Sequence, residues 1–501
     1  NAQLKQLIDV RISEDGDTLN PESITVLDPA CGSGHILVEA YDCLKAIYLE
    51  RGYRSRDIPR LILENNLYGI DIDTRAAQLA SFALLMKARE DDRRLFSNPP
   101  KLNIIALQDS LELDADQIWQ DLNLNQAWQK GSHIDLFGND QKDLSSSDND
   151  ARYALIKELV EKFKEAKTFG SLICMGSQEQ DFVDLQNTLE DLLIEGDTLQ
   201  KAAAKKLLPL VQQAKLLAKQ YDAVIANPPY MGNKYLNPNL KTYLKKNYQG
   251  YEKDLFSAFM MRDLYFSKPN GQLGFMSPMV WMFISSYENL RAHFINHATI
   301  TSLIQLEYSG FDGATVPICT FTLAKSHVTD FTGSYIRLSD FKGSENQAPK
   351  TLEAINNPDC GWFFNAKPDD FKKIPGSPIA YWIGEKLRKN FEENPLLSST
   401  GITRKGMSSG NNDKLVRLWS EVSESKFIAG VLSREDSVES RKKWFPYANG
   451  GGFRKWYGNI EDVINWENDG YIIQTDLHET GRVRAVNLNL DYIFKEGIFW
   501  S

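Results

Sequence analysis

The stretch Tyr221-Asp222-Ala223-Val224-Ile225-Ala226-Asn227-Pro228-Pro229-Tyr230 constrains the fold more than any other part of the chain. Its apolar run reads as a buried strand. Two consecutive prolines, which lack an N–H and hold φ at about −65°, forbid that strand from continuing, and the residue before each is pushed out of the helical region. The chain must therefore turn, presenting the Asn227 carboxamide, the Pro228 and Pro229 carbonyls and the Tyr230 ring at the C-terminal edge of a sheet. Open α/β sheets bind ligands at that edge. A plain Pro-Pro turn would read the same way, but at average residue usage this tetrapeptide arises by chance in about one of a thousand chains of this length.

Three earlier strands end in acids. Ser23-Ile24-Thr25-Val26-Leu27-Asp28 enters the turn Pro29-Ala30-Cys31-Gly32-Ser33-Gly34, and a helix follows from His35 to about Glu50, with Ile36, Leu37, Ala40, Leu44 and Ile47 at helical spacing. Strand, glycine turn and helix make the first unit of a nucleotide-binding sheet. The glycines are too few for the dinucleotide fingerprint, and no Gly-Lys-Ser/Thr follows for a phosphate loop. Asp28 instead suits a cationic ligand such as S-adenosylmethionine. The second strand runs through Gly69-Ile70-Asp71-Ile72-Asp73 into a helix from Thr74, so Asp71 is placed to accept from a ribose diol, and Asp73 reads equally well as a helix cap. The third, Leu102 to Ser110, again ends in an acid, and Asp109 is placed to accept from the adenine amino group of the cofactor. Recurrence at one edge makes the set Asp28, Asp71 and Asp109 more specific than any member, although solvated loop acids would give the same letters.

The 501 residues carry a net charge of −10, but residues 109–150 hold ten acids and two lysines, a local −8, which leaves only −2 for the rest. The acidity therefore belongs to one segment and does not exclude nucleic acid. The five cysteines are odd in number and form no CxxC pair, and the six histidines are dispersed, so neither a disulfide framework nor a metal site is expected. No apolar run approaches the ~20 residues of a membrane span, which makes a cytoplasmic location and no membrane partner the expectation. The chain starts at Asn1 without methionine and stops at Ser501 inside a strand or turn pattern, as a piece of a longer protein would.

Residues 111–220 read as an acidic and helical insertion in which no chemistry is visible. After the Pro-Pro corner, a polar loop with lysines and tyrosines precedes an apolar helix from Asp254, a strand at 274–277, a helix from about Ser286, and a last sheet element running from Ile304 to Ala324. The expected fold class is α/β: a doubly wound, Rossmann-like sheet from residues 1–110 and 221–328, interrupted by the insertion. Residues 329–501 are expected to form a mixed α/β region. Within it, residues 441–459 contain five cations, six aromatics and no acid, among them Arg441, Lys442, Lys443, Arg454, Lys455 and Trp456. Cations track phosphate and flat rings meet bases, so these six are candidate DNA contacts. A hairpin that packs its aromatics inward, with a solvated basic face, is the structural alternative.

The pairing of Asp28-Pro29-Ala30-Cys31-Gly32-Ser33-Gly34 with a distant Asn227-Pro228-Pro229-Tyr230 resembles the amino-group DNA methyltransferases that carry the cofactor motif first. The text around His35–Ala40, Tyr68–Asp73 and Trp456–Asn459 resembles, within them, the PglX family, the adenine-specific methyltransferases of BREX phage-defence systems. That resemblance implies transfer of a methyl group from S-adenosylmethionine to adenine N6 in double-stranded DNA, with Asn227, Pro228, Pro229 and Tyr230 catalytic. It places Asp28, Pro29, Ala30, Cys31, Gly32, Gly34, Asp71, Ile72, Asp109 and Ser110 around the cofactor. Tyr230 and Phe311 would stack on an extruded base, residues 329–501 would be a partial target-recognition region, and other BREX proteins would be partners. The family's motif upstream of the first strand is not visible before Ser23. A protein-glutamine or RNA-adenine methyltransferase, a restriction-modification polypeptide with its nuclease elsewhere, and a non-catalytic DNA-binding scaffold remain open at this point.

Overall fold

Period-two alternation along the first four strands sorts their side chains onto two faces of one sheet. Val26 and Leu67 join one apolar layer with Leu37, Tyr41, Leu44 and Leu84, whereas Leu27, Ile70 and Val224 join another with Leu159, Phe163, Leu207 and Met260. The computed structural model describes residues 20–125, 150–308, 310, 316–452, 454 and 458–498. Its main sheet has the order β3-β2-β1-β4-β5-β7-β6-β8-β9. These strands are β1 (Val26–Asp28), β2 (Leu67–Asp71), β3 (Asn103–Ala106), β4 (Tyr221–Ala226), β5 (Ser267–Pro278), β6 (Thr299–Gln305), β7 (Ile318–Ala324), β8 (Gly333–Arg337) and β9 (Phe363–Ala366).

Strands β3, β2, β1, β4 and β5 are mutually parallel, and β7 lies antiparallel between β5 and β6. This is the expected doubly wound α/β class. The helices α1 (His35–Glu50) and α2 (Thr74–Asp91) cover one face, while α8 (Leu255–Phe266) and the insertion cover the other. In the insertion, α3 (Ala115–Leu122), α4 (Ala151–Lys162), α5 (Glu179–Glu195) and α6 (Thr198–Ala218) lead back to β4. The stretch read as one element from Ile304 to Ala324 instead belongs to two antiparallel strands, β6 and β7.

Two local features fix how β1 meets its neighbours. Asp222, at the start of β4, accepts through Oδ2 from the Thr25 N–H at 2.9 Å, the Thr25 hydroxyl at 2.8 Å and the Lys268 ammonium at 2.9 Å. This ties β1 to β4, with β5 drawn in through Lys268. At the other end, Gly34 has φ +83°, and a Cβ there would lie 2.9 Å from Ala80 Cα and Cβ. Only glycine provides both that backbone conformation and the close approach of α1 to α2.

The chain divides into two compact units, residues 1–393 and 394–501. The boundary falls after the expected 328 because β8 pairs parallel with β6 and antiparallel with β9, so residues 333–366 extend the main sheet. The second unit has a three-stranded sheet of order β10-β12-β11, from Val416–Leu418, Asp462–Asn465 and Trp444–Pro446, over a small core of Leu415, Phe445, Ile464, Trp466 and Ile473. No helix among the described residues is long and apolar enough to cross a membrane.

Burial works to raise the Asp222 carboxyl, but Lys268 and the two Thr25 donors outweigh it and hold it below the usual carboxylate range. A carboxyl depressed on folding contributes stability above its unfolded pKa and loses it as pH falls through the folded one. Asp222→Ala is expected to cost about 1.5–3 kcal/mol at pH 7, the usual range for hydrogen bonds to a charged group. The deficit in thermal midpoint should shrink below about pH 4. An equal deficit at pH 7 and in acid would show that the clamp does not act through its charge.

Candidate functional site

β1 is bordered by β2 on one side and β4 on the other, so the chain leaves these neighbouring strand ends in opposite directions. In doubly wound folds such divergence opens a crevice at the C-terminal edge of the sheet, where ligands bind. The glycine turn leaves β1 there, and the Asn-Pro-Pro-Tyr corner leaves β4 there. Their register is direct: Val26 pairs with Ala223 and Leu27 with Val224. Residues separated by a hundred and eighty positions or more in the sequence thus stand on strands about 4.8 Å apart.

On the β1 side, Asp28 is 1 % exposed and accepts from the Ala30 N–H at 3.1 Å. Burial pushes its carboxyl up to about 7; the Ala30 bond opposes this and the Asp71 charge adds to it. Asp71 accepts from the Gly32 N–H at 2.9 Å and the Asp73 N–H at 2.8 Å, so the end of β2 holds the glycine turn in place. Each of its oxygens keeps a second acceptor site for a hydroxyl. Asp73 is the helix cap, accepting from Arg75 and Ala76 N–H, and these bonds hold its carboxyl below the usual range. Cys31 is buried, its N–H donates to the Ile70 carbonyl, and burial pushes its thiol far up, so it packs rather than reacts. Ile72 is 48 % exposed, an apolar side chain left beside the acids.

Asp109 is exposed and accepts from the Lys167 N–H at 2.9 Å. Ser110 needs a correction as a cofactor contact. It is buried, its hydroxyl donates to the Val160 carbonyl at 2.6 Å and its N–H to the Phe163 carbonyl at 2.9 Å. Both donors serve to anchor α4, the insertion's second helix.

At the corner, Pro228 is buried, whereas Asn227, Pro229 and Tyr230 are exposed. The Tyr230 hydroxyl donates to Asn227 Oδ1 at 2.7 Å. Burial pushes that phenol up to about 12, with the Cys319 thiol adding to it, so it remains a donor at neutral pH. The following loop is closed at its neck by Asp254, which caps α8 and accepts from the Met231 N–H at 3.0 Å, while Leu255 N–H donates to the Met231 carbonyl at 3.1 Å. Sequence reading missed Asp254 in this role, although an Asp directly before an apolar helical run is a capping signal. Phe311 lies outside the described residues.

In the second unit, β11 and β12 pair antiparallel, Trp444 with Asn465 and Pro446 with Val463. Phe445 is core, and the Tyr447 hydroxyl donates to the Met407 carbonyl, as in the inward-packing alternative. The Lys442 ammonium donates to the Ser425 carbonyl and that of Lys443 lies 3.8 Å from Glu467, while Arg441 and Arg454 are exposed. Lys455 and Trp456 lie outside the described residues. No group of three His, Cys, Asp or Glu suited to a metal occurs among the described residues.

Residues 65–311 match the family described as Eco57I restriction-modification methylase. The chain is 43 % identical over 491 residues to the adenine-specific methyltransferase BrxX of Escherichia coli O9:H4 (strain HS), covering 97 % of this chain and 38 % of that protein. It is 35 % identical over 499 residues to the adenine-specific methyltransferase PglX of Lacticaseibacillus casei (strain Zhang), covering 96 % of this chain and 38 % of the relative. A solved nuclease-deletion mutant of the Type ISP restriction-modification enzyme LlaGI, in complex with a DNA substrate mimic, aligns at 14 % identity with a TM-score of 0.41, over 74 % of this chain and 25 % of that one. The resemblance to the PglX family thus extends over nearly the whole chain, which spans 38 % of the length of these two curated relatives.

A cation bound at the β1 turn favours ionised Asp28, so its affinity should fall as pH drops below about 7. The ligand-free fold shows the opposite sign. An acid raised on folding keeps a proton that the unfolded chain has lost, so stability declines from about pH 4 to the folded pKa. Calorimetry of S-adenosylmethionine binding from about pH 5.5 to 8.5 should show affinity rising and then levelling, with Asp28→Asn removing the pH dependence. The same slope in the variant would exclude Asp28 as its source.

Proposed function

We propose that this chain is the catalytic part of a DNA methyltransferase, which transfers a methyl group from S-adenosylmethionine to the N6 amine of an adenine extruded from duplex DNA. In this reading it is the modification component of a phage-defence system and works with that system's other proteins. The observation that carries the reading is the placement of the Asp28–Gly34 turn and the Asn227–Tyr230 corner on adjacent parallel strands at the switch point of the sheet.

The residues present fit the cofactor. A buried acid at the end of β1, a glycine turn with no room for a side chain at Gly34, and the carboxylates of Asp71 and Asp109 offer an anionic partner for a cationic group, close backbone approach and hydroxyl or amine acceptors. When bound, S-adenosylmethionine supplies an electrophilic methyl on a sulfonium. The protein's part is alignment. An adenine amine is conjugated into its ring and weakly nucleophilic, so acceptors must draw its hydrogens and turn lone-pair density toward the methyl group. Asn227 Oδ1 and the Pro228 carbonyl are such acceptors, fixed at a corner that proline stiffens, and no strong base is needed. The target must leave the helix to reach them. The Tyr230 hydroxyl already holds Asn227 Oδ1, which turns the amide oxygen before any base arrives.

Asn227→Ala in the full-length protein should bind cofactor and DNA normally but lose about a hundred- to a thousand-fold in single-turnover methylation rate. Tyr230→Ala should weaken DNA affinity by roughly 1–3 kcal/mol because the extruded base no longer has a ring to stack on, while Tyr230→Phe, which keeps the ring, should retain most of it. A methylation rate in Asn227→Ala close to that of the wild type would remove the corner from the chemistry.

Among the described residues of 441–459, the exposed Arg441 and Arg454 are candidates for phosphate. Replacing both by Ala should lower the slope of log affinity against log salt by about one unit for each phosphate that an arginine no longer neutralises. An unchanged slope would remove both arginines from the phosphate contacts.

A further inference from the structure

The insertion carries a segment that belongs to the strand-end crevice, although its sequence shows no motif. Between α4 and α5, a helical turn at Ala166–Phe169 runs into Gly170–Leu172. Within seven residues this stretch meets the ends of three strands. The Lys167 N–H donates to Asp109 Oδ1 at 2.9 Å, beyond β3. Gly170 has φ +58°, and a Cβ there would lie 3.2 Å from Ile72 Cγ2, beyond β2. The Ser171 hydroxyl donates to the Pro29 carbonyl, at the head of the glycine turn beyond β1, and Ser171 is only 3 % exposed.

The elements that follow the Asn-Pro-Pro-Tyr corner hold the same segment in place. Buried Arg262 of α8 donates through Nε to the Ser171 carbonyl at 2.9 Å and through Nη2 to the Ile173 and Leu217 carbonyls at 2.8 Å. Tyr243, in α7 (Pro238–Asn247), donates to the Leu172 carbonyl at 3.1 Å, as does Tyr248 just after it at 2.7 Å. The Phe169 ring stacks on Tyr243 with centroids 4.2 Å apart and planes 14° from parallel. Three carbonyls and a ring are thus fixed by side chains from the catalytic half of the sheet. Buried carbonyls require donors, and here Arg262, Tyr243 and Tyr248 supply them from elements that follow the corner.

We propose that Lys167–Ile173 is a wall of the cofactor pocket, with Ser171 the positioning residue for the glycine turn and Gly170 the residue that sets where Ile72 stands. The inference rests on the reading of this crevice as the S-adenosylmethionine site. Ser171 fixes the Pro29 carbonyl and hence the turn that Gly32 and Asp71 hold from the other side. Lys167 fixes the orientation of the Asp109 carboxylate. Gly170 leaves Ile72 its exposed position, and any side chain there would displace it and strain the backbone.

The test is calorimetric binding of S-adenosylmethionine to the full-length protein and to its Ser171→Ala, Ser171→Thr and Gly170→Ala variants, with thermal melting of each and the KM for cofactor set against kcat. Loss of one neutral hydrogen bond predicts an affinity about three- to ten-fold lower in Ser171→Ala, recovered in Ser171→Thr. KM for cofactor should rise in Ser171→Ala and in Gly170→Ala while kcat at saturation holds. Wild-type affinity in both Ser171→Ala and Gly170→Ala would overturn the proposal, as would a loss of affinity that follows only the loss of folded protein. Failure of the wild-type protein itself to bind would instead overturn the reading of the crevice as a cofactor site.

Discussion

The adjacency of β1 and β4 governs everything at the functional edge of this protein. Neighbouring parallel strands whose chains depart in opposite directions leave an opening, and no side chain has to be removed to create it. What must be supplied is register, and Asp222 supplies it. Its carboxylate takes both donors of Thr25 and the ammonium of Lys268, so the three strands β1, β4 and β5 are aligned at their N-terminal ends. Their C-terminal ends then lead into the Asp28–Gly34 turn and the Asn227–Tyr230 corner on adjacent strands. A slip of one residue would turn every side chain of a strand to the opposite face.

The edge was largely legible in the sequence because its signals are local. A glycine turn between an apolar run and a helix, an Asp at a strand end and a proline pair each bias only the backbone around them. Asp73 could be separated from Asp71 in structure because capping has its own geometry, two N–H groups converging on one oxygen. Ser110 was misread for the complementary reason. Its position next to Asp109 suggested the ligand side, whereas its hydroxyl answers a carbonyl fifty residues away. The boundary at 328 failed likewise, since a change toward short strands and aromatics gave no hint that β8 would pair with β6 across the intervening β7 hairpin.

The insertion shows the limit most plainly. Ser171 and Pro29 are 142 positions apart, and Arg262 reaches Ser171 from 91 positions further on. No periodicity or spacing announces a hydrogen bond of that kind, and a buried serine in a helical excursion reads as filler. Folding gives it a partner because α8, which follows the Asn-Pro-Pro-Tyr loop, lies against both the sheet and the insertion. The glycine turn is consequently braced by Asp71 from β2 and by Ser171 from the insertion, two elements that stand far apart in sequence.

The central claim, that the crevice aligns an adenine amine with a sulfonium methyl, is tested most directly by following the methyl group. The full-length protein would be given S-adenosylmethionine carrying a labelled methyl and a mixture of duplex DNA, RNA and protein, and the products digested to nucleosides and amino acids. The account predicts label in N6-methyldeoxyadenosine from the DNA. Label in methylcytosine, in RNA adenine or in glutamine would contradict it.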